Sequence, residues 1–370
     1  MASSDRLRHA AAEPPDRSIL RVRDPGELVA AVPVLLGFHP RDSLVLVATG
    51  GSSGRRLGLT VRVDLPPPEA VRIDAEAVGD AAVQGLLLDA PTGAVVIVVG
   101  GDSGADPACR ELADLVSRLL EGHGVAVQTV LWAESTAAGG RWACLDPCGC
   151  TGTLPDPSST PLAAAAVAGG QVVHADRGEL ARMVAPADAE RVQRRETLLV
   201  RAVDEMLSCT DAAADDPEAG RVEDTVVIDS AIADAGAGRL VLDDDRVLAL
   251  AGALAVPAVR DAALLRCAGP EAAAAEQLWT ALVRETPDPE AAEPAALLAV
   301  SALLRGDGAL ANVALDRAEQ AWPGHRLTGL LCSAVATGMR PGEIRECLQR
   351  GLATGSLPGP QRRITRRCSG

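Results

Sequence analysis

The chain reads as an α/β domain with a mixed sheet followed by an all-α region carrying tetratricopeptide-like helical hairpins, and three features predict it. The first is a strand, helix, strand succession: AVVIVV at 94–99, an amphipathic stretch at 107–121 and VAVQTVLW at 125–132. That order implies parallel neighbours joined by a right-handed crossover. The second is a pair of apolar runs just before it, SLVLVAT at 43–49 and LGLTVRVDL at 57–65, whose Gly/Ser connection reads as a loose hairpin. The third is a change of period, since nearly every segment beyond residue 161 has helical spacing.

In chain order, residues 1–17 are polar, Ala-rich and interrupted by Pro14-Pro15, which predicts a disordered leader. SILRVR at 18–23 can form a first strand. Asp24-Pro25-Gly26-Glu27 then starts a helix: Asp24 caps it, Pro25 takes the first helical position, and Glu27 closes a capping box. Pro33 bends its last turn and Gly37 ends it. In the second hairpin strand Leu57, Leu59, Val61, Val63 and Leu65 share one face, leaving Thr60, Arg62 and Asp64 on the other. Pro66 to Pro68 stop that strand, 69–88 is a helix, 141–145 adds a short strand, and TLPDPSSTP at 153–161 reads as a linker.

Helices follow at 162–168, 176–184 and 187–208, then an acidic loop at 210–220, then more helices to about 350. The stretch 294–322 gives two helices broken at Gly306-Asp307-Gly308, with Asp307 as the second helix's N-cap. Gly306, Ala311, Ala318 and Pro323 match the offsets of a tetratricopeptide repeat, although Ala295 and Ala302 stand where its rings would be. The organisation expected is a leader (1–17), an α/β domain (18–152), linker and connecting helices (153–220), a helical domain (221–350) and a disordered basic tail (351–370).

Composition excludes more than it selects. The chain has 370 residues, 48% of them hydrophobic, so a sizeable core is available. All 35 basic residues are Arg, which rules out a Walker A loop, a Schiff-base lysine and a protein-kinase site. With no Tyr, one Phe and four Trp, the cores must be packed from Ala, Leu and Val. A formal charge of -15 disfavours nucleic acid and anionic lipid as partners. No signal-like apolar core occurs in the first 30 residues, and the run Val247 to Val259 is too short to span a bilayer and contains Pro257. Nine scattered cysteines do not form a secreted disulfide framework, so a cytoplasmic protein with reduced thiols is expected.

Several segments together resemble an actinobacterial family known as domain of unknown function 4192. They are DPGELVAAVPVLLGFHPRDSLVLV (24–47), VRVDLP (61–66), GRWACLDPCGC (140–150), AVPAVRDAALL (255–265) and ALLAVSALLRGDGALANVALDRAEQAWPGH (296–325). The resemblance implies no activity, ligand or catalytic residue. The family commonly shows adjacent cysteines followed by Pro where this chain has Cys148-Gly149-Cys150-Thr151.

Candidate sites are few. Cys144, Cys148 and Cys150, with His174 as a fourth ligand, could hold Zn²⁺ or cycle through a disulfide, against the simpler reading of structural thiols. Gly100 to Gly104 follows a buried strand and precedes a helix, where parallel sheets bind ligands and a helix N-terminus can receive an anion. Any pocket there would be lined by Asp102, Ser103, Glu134 and Arg141. In Phe38 to Ser43 a structural turn is expected: Phe38 plugs the core, Pro40 and Asp42 turn the chain, and Asp42 or Ser43 bonds to backbone amides. Arg62 and Asp64 could bind an anion, against the expected mutual or helix-directed ion pair, and Arg191, Arg194 and Arg195 should form a solvated face.

The functional expectation is a non-enzymatic binding or regulatory protein with an unidentified protein partner, docking on an apolar groove of helices 296–338. The alternative is a small-molecule- or phosphate-binding enzyme of hydrolase or transferase type, using the sheet edge near 100–104 and 133–142. No cofactor is expected, and no catalytic set can be assembled from the side chains present.

Overall fold

The computed structural model describes residues 24–50, 56–65, 72–101, 107–168, 172–208 and 217–353. The expected leader, the strand at 18–23, Asp102 and Ser103, most of the acidic loop and the tail beyond 353 lie outside the described residues. The chain opens with α1 (Pro25–Leu36), whose Asp24 cap accepts from the Glu27 N–H at 2.9 Å and whose end is turned by Gly37 at φ 79. There follow β1 (Ser43–Gly50), β2 (Arg56–Asp64), α2 (Arg72–Leu87), β3 (Gly93–Val99), α3 (Pro107–Gly122), β4 (Ala126–Ala133), β5 (Arg141–Cys144) and β6 (Thr151–Thr153).

The strands form one six-stranded sheet in the order β2-β1-β3-β4-β5-β6. β3 and β4 run parallel, with α3 as their crossover, and the other pairings are antiparallel. β1 and β3 are buried on both faces, which is why they read as unbroken apolar runs. On one face Leu28, Val29 and Val32 of α1 pack on Val45, Val47, Ile97 and Leu131. On the other, Val83 and Leu86 of α2 and Leu112 and Val116 of α3 cover Leu44, Leu46, Val96 and Val98.

Two features of the sheet depart from expectation. Val61, Val63 and Leu65 pack toward α2 and α3, but Leu57 packs on the α1 side and Leu59 is exposed. The β1–β2 register shifts between Val47 and Thr49, and such a slip moves side chains to the opposite face. β6, Thr-Gly-Thr, lacks an apolar alternation and is held by fit: a Cβ on Gly152 would come within 2.9 Å of the Trp142 indole nitrogen.

A single 3₁₀ turn (Pro157–Ser159) leads into the helices: α4 (Pro161–Ala168), α5 (Arg177–Val184), α6 (Ala189–Ser208), α7 (Pro217–Gly236), α8 (Asp244–Ala255), α9 (Pro257–Arg266), α10 (Ala272–Glu285), α11 (Ala292–Arg305), α12 (Gly308–Ala321), α13 (Arg326–Ala336) and α14 (Pro341–Ala353). The architecture is therefore a mixed sheet in the N-terminal half and helices thereafter. α11 and α12 form a tight hairpin, with Gly306 at φ 86 and the Asp307 carboxylate accepting from Leu310 N–H at 2.9 Å. α11 is buried all round, from Ala292 to Ala302, so it is the central helix and offers no groove to solvent. Its alanines let α10 and α12 approach where larger side chains would hold them apart.

No single helix among the described residues is long and apolar enough to cross a membrane. The apolar run 247–259 is split between α8 and α9, which meet at 101°. Its Val247, Leu250, Leu254 and Val259 belong to the helical core.

The expected solvated face of α6 is a correction. Arg195 is 1% exposed: it donates to Asp244 at the start of α8 (2.8 Å), to the Leu242 carbonyl (2.7 Å), and to the Glu285 carbonyl (2.9 Å) and carboxylate at the end of α10. Arg194 grips Asp244 at 2.8 and 3.0 Å, and Arg191 meets Glu285 at 3.1 Å. Helical spacing placed the three arginines on one face; acids on distant helices made that face a clamp.

Candidate functional site

The sheet register gathers three connections at one edge. Ser43 stands opposite Val99, and Val99 opposite Ala133. The α1–β1 loop, the exit of β3 and the β4–β5 loop therefore meet beyond the carboxyl ends of the parallel strands, where α/β sheets bind ligands.

Short polar contacts hold this edge. His39 Nδ1 lies 2.9 Å from the buried Thr136 hydroxyl, and burial, reinforced by Arg41, lowers the imidazole pKa and favours its neutral form. Ser43 donates to the Arg41 carbonyl and accepts from Arg62 Nε at 2.8 Å. The Arg62 guanidinium also pairs with Asp64, as expected, and stands 5.9 Å from the Phe38 ring centroid. Phe38 is buried, but in the core of the helical region, where it acts as a peg from the sheet domain. Backbone bonds reinforce the contact, with His174 N–H donating to Gly37 O at 2.8 Å and His39 N–H to His174 O at 3.1 Å. Ser43 bonds a carbonyl and not an amide, and Asp42 takes up the turn with φ 40.

At the exit of β3 the backbone is tightly enclosed. Gly100 donates its N–H to Ala133 O at 2.9 Å and accepts from Trp132 Nε1 at 2.8 Å. Its φ of +103 suits glycine, and a Cβ there would lie 2.5 Å from Asp42 Oδ1. Of the four residues expected to line a pocket, Asp102 and Ser103 fall outside the described residues. The other two meet each other: Arg141 donates to Glu134 through Nε (3.0 Å) and Nη2 (3.3 Å), and Glu134 N–H donates to Arg141 O at 2.9 Å. Hydrogen bonding to Arg141 lowers the Glu134 pKa, and the Glu134 carboxylate raises that of Arg141. The pair is exposed and closes the base of the β4–β5 loop.

The three candidate metal-binding cysteines sit on and beside the β5–β6 turn. Cys144 is buried, while Cys148 and Cys150 are exposed. Asp146 organises the turn, its Oδ2 accepting from Thr129 Oγ1 (2.8 Å), Val130 N–H (3.2 Å) and Cys144 Sγ (3.3 Å). Burial raises the Cys144 pKa to about 11. The Cys150 N–H and the Cys144 and Cys150 thiols lower that of Cys148, and the Cys148 side chain raises that of Cys150. Among the described residues no group of three or more His, Cys, Asp and Glu is placed to hold a metal ion. His174 stands by the α1–β1 loop and faces Glu179 at 3.6 Å.

The helical region carries concavities of its own. One, of about 330 Å³, lies between α7 and α9 and is lined by Glu218, Arg221, Val222, Thr225, Val226 and Val259, among others. Val222 and Val226 are 57% and 60% exposed. No charged motif marks these valines; their signal in the sequence is periodicity, since the buried stripe Ile228, Ala231, Ile232 and Ala235 leaves both off its line. A second hollow of about 270 Å³ is lined by Ala187, Leu240, Leu242, Ala281, Arg284 and Glu285.

Neither a curated protein nor a solved structure matches the chain. Its sequence does match the family described as Domain of unknown function (DUF4192) over residues 25–342, from α1 into α14, and the chain belongs to that family.

Proposed function

We propose that the protein is a non-enzymatic, cytoplasmic binding or regulatory protein that docks a partner protein on its helical region, in the groove between α7 and α9. The observation that carries this reading is the exposure of Val222 and Val226 over a concavity of about 330 Å³. Covering a valine contributes roughly 1.5–3 kcal/mol, so two of them supply an anchor of useful strength. The formal charge of -15 favours a basic segment around the apolar anchor. Support for a cytoplasmic setting comes from the cysteines, since no disulfide joins any of them among the described residues. At the sheet edge, by contrast, Glu134 and Arg141 already satisfy each other.

The test is a photo-crosslinking side chain placed in the host at Val222, at Val226, and at Arg118 on α3 as a distant exposed control. The same discrete adduct from both valine positions, absent from Arg118 and abolished for the Val226 probe by Val222→Asp, is expected. No adduct from either valine, or an equal one from Arg118, overturns the groove. A rise in melting temperature with inorganic phosphate that Arg141→Ala removes would instead support the alternative phosphate-binding enzyme.

A further inference from the structure

The β5–β6 turn holds three thiols within seven residues, and the groove does not use them. Their surroundings divide them. Cys144 is buried, with its Sγ 3.3 Å from Asp146 Oδ2 and 3.6 Å from Thr129 Oγ1. Its N–H also donates to Cys150 O at 2.7 Å, so Cys144 belongs to the frame of the turn. Cys148 and Cys150 are exposed and flank Gly149, which has a φ of 58. Gly149 N–H closes the turn on Asp146 O at 3.1 Å, and Cys150 Sγ is folded back to 4.0 Å from Cys148 O.

A two-residue span reaches at most about 7 Å when extended, and a left-handed middle residue shortens it into the roughly 4.4–6.8 Å range of Cα separations that a disulfide bridges. We propose that Cys148 and Cys150 form a hydroperoxide-sensitive dithiol, with Cys148 the attacking thiol, Cys150 the resolving thiol and Cys144 a spectator. The Cys150 N–H, and after it the Cys144 and Cys150 side chains, lower the Cys148 pKa and so favour the thiolate, the form that attacks.

The chemistry balances with a hydroperoxide as the oxidant. The Cys148 thiolate attacks one peroxide oxygen, the O–O bond breaks, and water or an alcohol leaves once the departing oxygen takes a proton, giving a sulfenic acid at Cys148. The Cys150 thiolate then attacks the Cys148 sulfur, forming the S–S bond and expelling hydroxide, which takes up the proton lost by Cys150. Two electrons pass from two thiols to one peroxide. The product locks the turn that carries β6 on the edge of the sheet, a change separate from anything that occupies the α7–α9 groove.

The test uses the full chain, reduced, freed of reductant, and titrated with hydrogen peroxide before alkylation and tryptic mass spectrometry. Arg141 and Arg177 bound a peptide containing Cys144, Cys148 and Cys150 together. The expected product is that peptide short of two hydrogens with Cys144 alkylated, formed about tenfold faster than oxidation of Cys332, whose pKa burial raises. Cys144→Ser should still form the bridge, whereas Cys150→Ser should accumulate a sulfenic acid at Cys148 that dimedone traps. A bridge that includes Cys144, dimedone labelling of Cys150 in place of Cys148, or oxidation no faster than at Cys332 overturns the proposal.

Discussion

Replacing Arg195 with methionine tests how the helical region is held together. The side chain keeps its length but loses the guanidinium, which is 1% exposed and serves Asp244, Glu285 and the carbonyls of Leu242 and Glu285. Removing one partner of a buried ion pair costs about 3–5 kcal/mol, because the remaining charges stay desolvated. Here both carboxylates keep an outer partner, Arg194 on Asp244 at 2.8 Å and Arg191 on Glu285 at 3.1 Å. The expected loss therefore lies at the lower end, about 3 kcal/mol, or a melting temperature lowered by about 6–12 °C for a unit of this size.

The assay is urea unfolding followed by far-ultraviolet circular dichroism on the wild type, Arg195→Met, Glu285→Gln and the double variant. Because Arg195 and Glu285 share a bond, the double variant should lose less than the sum of the two single losses. A cost below about 1 kcal/mol, the scale of a surface pair, would refute the buried clamp. Strict additivity would do the same.

Two further outcomes follow from the same contacts. Gly100→Ala places a methyl group 2.5 Å from Asp42 Oδ1 and 3.0 Å from its Cα, at a φ of +103, so a loss of at least about 2 kcal/mol in chemical denaturation is expected; a neutral substitution would show that the edge of the sheet is loosely built. For pH, hydrogen bonds from Arg194 and then Arg195 hold the Asp244 pKa at about 2 against an ordinary 3.8. A depressed folded-state pKa means that the stabilisation is complete above the ordinary value and is lost as pH falls from 3.8 toward 2. The urea midpoint should fall across that window in the wild type and fall less steeply in Asp244→Asn; parallel curves would remove Asp244 from the acid response.

What could be read from the sequence is what neighbouring residues decide. The Asp24 cap, the Gly37 stop and the Asp307 cap each join residues within one turn of helix, and each is found as its local chemistry predicts. β3 and α3 were legible because burial on both faces leaves an unbroken apolar run and burial on one side leaves a helical stripe. What was not legible lies in pairings across the chain. Arg195 finds its carboxylates 49 and 90 residues away, and His39 finds Thr136 97 residues away, so no local spacing marks these contacts. The register shift opposite Val47 and Thr49 is equally invisible in the alternation of β2. At the candidate site Glu134 and Arg141 stand at the two ends of the β4–β5 connection, and local residue types could not show that each would be the other's partner.

The absence of lysine gains a structural meaning once these contacts are seen. Planar guanidinium forks join distant segments where an ammonium could offer only a point charge: Arg266 of α9 takes both oxygens of Asp229 of α7 at 2.8 and 2.7 Å, and Arg317 of α12 takes both of Asp288 in the α10–α11 connection at 3.2 and 2.6 Å. On α7 these clamps are unevenly placed. Asp229 is fixed to Arg266 of α9 and Asp234 to Arg246 of α8, both in the second half of the helix, whereas Arg221 near its start pairs with Glu218 of the same helix. The far end of α7 thus fixes its position against α8 and α9, and the near end, with Val222 and Val226, is left facing solvent at the groove. A groove whose walls are held from behind needs little ordering when a partner arrives, so more of the burial free energy of the two valines is available for affinity. The charges that make the region rigid and the apolar surface that could bind are therefore two ends of one helix.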